Sequence, residues 1–179
     1  MACKQGIRQT MEASRAYYQQ LKLYDPHREL WKSLVTRSSI DPKLQTWTPA
    51  ERVYFCVSIL EGEIYNGGIH QFFWNSSGNY YNDAHAGLRE LNAENCLAIL
   101  QDAADLIFDG NEPPLNRVER QEAMQIVENR AISSGRESEW WEELNVIDKK
   151  FYEDPDKLVE LLRAYAETRG LVAPFMPLN

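Results

Sequence analysis

An all-α fold is predicted for this chain, a compact single-domain bundle of about seven to eight helices. Three observations predict it. Helix-start signals recur along the chain, apolar residues return every three or four positions, and no alternating strand pattern runs beyond four residues.

Taken in order, the first 47 residues predict two short helices, about 9–23 and 26–36, followed by a loop. Asp25-Pro26 and Asp41-Pro42 each set an acid before a proline, a pairing suited to the first turn of a helix. Thr48-Pro49-Ala50-Glu51 is stronger, because the threonine and the glutamate three residues later form a capping box. Val53 to Leu60 has the content of a buried strand, but the cap and the continuation to Ile64 make it a helix, apolar nearly all round. Residues 79–91 form an amphipathic helix, and residues 92–108 another, started by Asn92 and Glu94. After a Gly/Pro-rich connection from Asp109 to Pro114, Asn116 caps a helix over 116–133. In 137–153, Trp140, Leu144, Ile147 and Phe151 make a helical stripe. Asp154-Pro155 starts the last helix, 155–168, and Gly170 ends it.

Asn66 to Gly78 stands apart. Asn66-Gly67-Gly68 and Asn75-Ser76-Ser77-Gly78 bracket Gln71-Phe72-Phe73-Trp74, so consecutive aromatics lie between two small polar clusters. Glycine supplies backbone angles that other residues resist, while Asn and Ser bond their own main chain. The segment therefore reads as a rigid turn whose rings are driven into a core.

The chain is 179 residues long with a formal net charge of −8. Residues 1–50 hold eight Lys/Arg against four Asp/Glu, a balance of +4, whereas residues 51–112 hold ten acids against Arg52 and Arg89, a balance of −8. Such a field repels nucleic acid and attracts basic surfaces. The division expected is a net basic extension over 1–47 and an acidic helical domain over 48–179. No uninterrupted apolar run is long enough for a membrane span, and Met1 to Gln5 lacks the apolar core of a secretory signal, so a cytoplasmic protein is expected. Cys56 and Cys96 lie on apolar helical patterns, where buried reduced thiols are usual.

Zinc spacings, a phosphate loop, a dinucleotide fingerprint and a nucleophile elbow are all absent from the sequence. His70, His85, Asp83 and Glu61 or Glu63 flank the glycine-rich turn, and together they would suit a hydrolytic metal. The other reading has His70 packing beside the aromatics and His85 on a helix face. Glu61 lies on the apolar helix, where burial raises a carboxyl pKa; capping the turn by accepting its amides is the role expected of it. No catalytic residue, metal or cofactor is expected. On 92–108, Glu94, Ala98, Gln101 and Asp105 share one stripe, with Asp102 and Asp109 alongside. Carboxylates three or four residues apart on a helix lie about 5–6 Å from each other, comparable with phosphates along a DNA strand. This face is either simply solvated or a phosphate-like row offered to a basic groove.

The order Asn-Gly-Gly, two residues, Gln-Phe-Phe, one residue, Asn-Ser-Ser-Gly, from Asn66 to Gly78, resembles the central motif of the bacterial nineteen-kilodalton DNA-mimic protein family. The likeness continues through 79–108 to about residue 165. It implies an α-helical domain, often dimeric, and a carboxylate surface that occupies a transcription regulator's DNA-binding face. The family pattern transfers Asn66, Gly67, Gly68, Gln71, Phe72, Phe73, Asn75, Ser76, Ser77 and Gly78 as a structural motif, and no individual acid. The expected function is non-enzymatic binding of a basic, nucleic-acid-binding partner through Glu90, Glu94, Asp102, Asp105, Asp109 and Glu112. Direct nucleic-acid or membrane binding is not expected, and a homodimer is implied by the resemblance. The alternatives are a small metal-assisted hydrolase centred on His70, or a protein that neutralises a basic toxin.

Overall fold

The computed structural model describes residues 24–172. Among them, α1 spans Pro26–Ile40, α2 Pro49–Trp74, α3 Tyr81–Glu90, α4 Glu94–Phe108, α5 Arg117–Ser133, α6 Glu137–Tyr152 and α7 Leu158–Thr168, with a 3₁₀ turn at Ser76–Tyr80. The described residues contain no strand, so the fold is all-α as expected. The expected helix 9–23, Cys3 and most of the C-terminal tail lie outside the described residues.

α2 is apolar all round because it touches every other described helix. Phe55, Val57, Leu60, Ile64, Ile69, Phe72 and Phe73 are all buried along it. The capping box forms as expected: Thr48 accepts the Glu51 amide at 3.2 Å, and Glu51 accepts the Thr48 amide at 2.8 Å. Arg37 of α1 also pairs with Glu51, tying the two helix ends together. Leu34, Leu44 and Trp47 join the same core, so α1 and the loop after it are built onto the acidic helices.

The expected turn at Asn66–Gly78 is helical for most of its length, which corrects that reading. α2 breaks at Gly67 (φ −165°, ψ 26°) and Gly68 (φ 80°, ψ 171°), then resumes through Trp74. The two glycines mark the break, but the helix restarts because a distant side chain caps it. Phe72 and Phe73 are driven into the core as expected, and Trp74 is half-buried.

The other helix ends bring three further corrections. Asn92 does not cap α4. It takes a left-handed φ of 55° and closes α3, while the Ala93 amide reaches back to the Leu88 carbonyl at 2.9 Å. The start of α4 is held instead by Asp156, which accepts the Cys96 amide and the Asn95 side-chain amide, both at 2.7 Å. Asp41 starts no helix and ties a turn by accepting the Thr46 amide at 2.9 Å. α7 begins at Leu158, later than expected, with Asp154 accepting the Leu158 amide at 2.9 Å. Asp25 and Asn116 cap α1 and α5 as expected. Gly170 (φ 70°) ends α7, with the Leu171 amide bonded to the Ala166 carbonyl at 2.8 Å.

Candidate functional site

The broken helix is fastened by three charged side chains. Glu63, one turn before the break, accepts hydrogen bonds from Gln71 Nε2 at 2.8 Å, Asn75 Nδ2 at 2.9 Å and Ser77 Oγ at 2.5 Å. Burial acts to raise its pKa, but these three donors prevail and hold the carboxyl below its ordinary value. Asp148 of α6 accepts the Ile69 amide at 2.8 Å and so caps the resumed half of α2. Burial outweighs that bond and pushes the Asp148 carboxyl up. Arg120 of α5 is fully buried. Its guanidinium donates to the carbonyls of Phe73, Asn75, Pro114 and Leu115 and to Asn79 Oδ1, at 2.6–3.0 Å. All five N–H groups are thus used without a carboxylate partner. Burial, helped by the charge of Arg117, lowers its pKa to about 10. Gly78 is required beside it, since a Cβ there would lie 2.6 Å from Arg120 Nε.

The polar residues flanking the motif are not brought together. His70 packs among Trp74, Trp140 and Trp141, at ring separations of 6.0, 6.2 and 5.1 Å. Its buried Nε2 has no partner, and burial depresses its pKa, leaving a neutral ring. Asp83 pairs with Arg52 at 2.8 Å, and His85 bonds to the Gln101 side chain at 2.9 Å. No group of three His, Cys, Asp or Glu able to hold a metal is found among the described residues. Glu61 does not cap the break; Asp148 does. It lines a cavity of about 280 Å³ with His27, Tyr54 and Arg163, and burial, reinforced by the charge of Asp154, raises its pKa as expected. Cys56 and Cys96 are buried free thiols, and burial, with nearby Asp156, pushes Cys96 up to about 12. Neither has the thiolate character of a nucleophile.

The acidic residues are set out by α4. Its buried side carries Cys96, Ile99, Leu100, Ala103, Ile107 and Phe108, so Glu94, Ala98, Gln101, Asp102 and Asp105 point outward. Asp105 lines two depressions. One is a trough of about 600 Å³ between α4 and α6, with Asp102, Glu139, Glu142, Glu143 and Lys150 around Leu106, Val146 and Ile147. The other, about 530 Å³, lies towards Glu112, Asn111, Tyr81 and His85. Burial, with the charge of Arg89, lowers the His85 pKa, so that edge carries no imidazolium at neutral pH. Glu90 lies apart, against α7, where it accepts from Tyr165 at 2.6 Å and pairs with Arg169 at 2.9 Å. Asp109 pairs with Arg130, and Asp102 lies 3.8 Å from Lys150. Among the described residues, Glu94, Asp105 and Glu112 have no ion-pair partner.

Residues 45–169 match the family model described as DMP19-like protein. The chain belongs to the DMP19-like family. This is a DNA-mimic family, and the match spans α2 to α7 with the motif and both acidic depressions inside it. No curated protein and no solved structure matches the chain.

For this family member, sequence reasoning missed two groups. Glu139, Glu142 and Glu143 complete the trough from α6, and the density of acids in Glu137 to Glu143 was a readable signal. Arg120 left no signal, since an arginine on a largely polar helix reads as exposed.

Proposed function

We propose that this protein is a non-enzymatic acidic binding protein that engages a basic, nucleic-acid-binding partner, a DNA-binding transcription regulator, in place of DNA. One observation supports this most. Asp102 and Asp105 of α4 face Glu139, Glu142 and Glu143 of α6 across one trough, and Glu112 extends the acidic line into the adjoining depression. Among the described residues, Lys150 is the only cation lining either of these two depressions.

Membership of a DNA-mimic family supports the same reading. Carboxylates on helical spacing offer a basic groove a row of negative charge at roughly 5–6 Å intervals. They are exposed, so they attract at range and lose strength with salt.

The experiment is a titration of candidate DNA-binding regulators against the full chain, repeated with rising salt and with operator DNA as competitor. Affinity falling steeply with salt, with DNA and this protein excluding each other, supports the reading. A regulator that takes up DNA and this protein together, or affinity indifferent to salt, overturns it.

A further inference from the structure

We infer that the trough between α4 and α6 docks a basic amphipathic helix of the protein partner, with that helix's apolar side chains on its floor. The inference rests on the acidic-surface reading above and adds the partner's shape and its apolar half.

A surface that imitates phosphate alone has no use for an apolar floor, yet this trough has one. Leu106 from α4 and Val146 and Ile147 from α6 line it between the acids. Val146 is 48% exposed although it sits between charged neighbours. The trough also extends along α6. The lining residues of α6 run from Glu139 to Lys150, roughly 16 Å at 1.5 Å per residue, which matches about three turns of a helix laid alongside. Two packed helices present such a furrow between their ridges, the geometry that receives a third helix.

Charge decides the occupant's polarity. Five carboxylates rim the trough: Asp102, Asp105, Glu139, Glu142 and Glu143. Arg136 reaches Glu139 at 3.2 Å and Glu143 at 3.8 Å, and Lys150 reaches Asp102 at 3.8 Å. Every side chain in these pairs is more than half exposed, so a partner's guanidinium can replace them at little cost. Asp105 and Glu142, with no such pair among the described residues, are the first anchors for incoming arginine or lysine. Lys150 at the Asp102 end and Arg136 at the Glu139 and Glu143 end each neutralise part of the rim, so the basic residues of the occupant gather on Asp105 and Glu142 between them.

The test uses two synthetic helical peptides of about 14 residues with identical Lys/Arg content. One carries leucines at i, i+3, i+4 and i+7, and the other carries alanines there, which keeps helix propensity and net charge. Each is titrated against the full chain and against Val146→Ser, Asp105→Asn/Glu142→Gln and Val118→Ser. Val118 is an exposed valine outside the trough, 62% exposed on α5, and serves as control. The leucine peptide is expected to bind about tenfold more tightly than the alanine peptide, and V146S to lose about threefold or more of that preference. V118S is expected to retain it, and the double acid variant to weaken both peptides and flatten their salt dependence.

Equal affinity of the two peptides, equal losses in V146S and V118S, or no binding of either peptide at low salt overturns the inference. In those cases a regulator whose binding stays salt-dependent and DNA-competitive leaves the acidic-surface reading standing. A salt-indifferent regulator overturns that reading separately.

Discussion

The carboxylate of Asp148 occupies the space that a Cβ on Gly68 would need, and from there accepts the amide of Ile69 at 2.8 Å. Gly68 itself takes φ 80° and ψ 171°, a region that is essentially glycine's alone. Helix break, glycine and distant cap are therefore one device. Gly68→Ala is expected to cost more than about 2 kcal/mol, from backbone strain and from displacing Asp148. In an Asp148→Ala background the steric part is gone, so Gly68→Ala costs less there. Urea denaturation of the double-mutant cycle measures the difference, and additive losses would contradict the shared space.

Arg120 is expected to be the most sensitive polar position among the described residues. Arg120→Met removes five donated hydrogen bonds and leaves four backbone carbonyls and Asn79 short of a partner. Removing one partner from a buried charged network typically costs about 3–5 kcal/mol. Arg120→Lys rescues little, because an ammonium cannot span carbonyls from Phe73 to Leu115 as a planar fork does. Thermal melts of both variants check this, and a wild-type melting temperature for either would refute it.

How much of this was legible in the sequence follows from the range of each interaction. The capping box at Thr48 and the stripe Trp140, Leu144, Ile147, Phe151 were readable because both ends of each relationship lie within a turn or two. The break at Gly67-Gly68 was readable, but the resumption of the helix was not: its cap is 79 residues away in Asp148. Asn92 misled because asparagine serves both helix ends, and only the Ala93–Leu88 hydrogen bond decides between them. The acids of α4 were found by helical spacing. Those of α6 join them only through tertiary packing of two distant segments, where Trp140 Nε1 donates to the Leu106 carbonyl at 3.4 Å. Spacing within one helix carries no information about its neighbour.

Two glutamates two residues apart are expected to give opposite pH signatures. Glu61 has a raised pKa in the folded protein. Its ionisation therefore disfavours folding, and stability falls as pH rises from the unfolded value, about 4.3, through the folded one. Glu63 has a lowered pKa, so its three hydrogen bonds stabilise above about pH 4.3, and that stability is lost as pH falls through its folded value. Glu61→Gln should thus raise the melting temperature at pH 7 and lose that gain towards pH 4. Glu63→Gln should lower it at pH 7, with the deficit shrinking in acid. Melts from pH 3 to 8 separate the two, and parallel curves would refute the assignment.

The exposed acids should act mainly on the rate of encounter. Asp105 and Glu142 have no ion-pair partner among the described residues and line the trough, so Asp105→Asn and Glu142→Gln each remove a charge without breaking an internal pair. Rim charges steer association and govern its salt dependence, whereas dissociation depends on desolvated contacts. Each variant is expected to slow association with the basic partner severalfold at low salt and to leave dissociation nearly unchanged, the two curves converging as salt rises. Glu90→Gln provides the contrast. Its carboxylate is already held by Arg169 and Tyr165 against α7, away from the trough, so the variant should change association little and lose a small amount of stability instead. Stopped-flow association at several salt concentrations decides it: equal slowing by E90Q and D105N would move the working surface from the α4–α6 trough to the protein's overall charge.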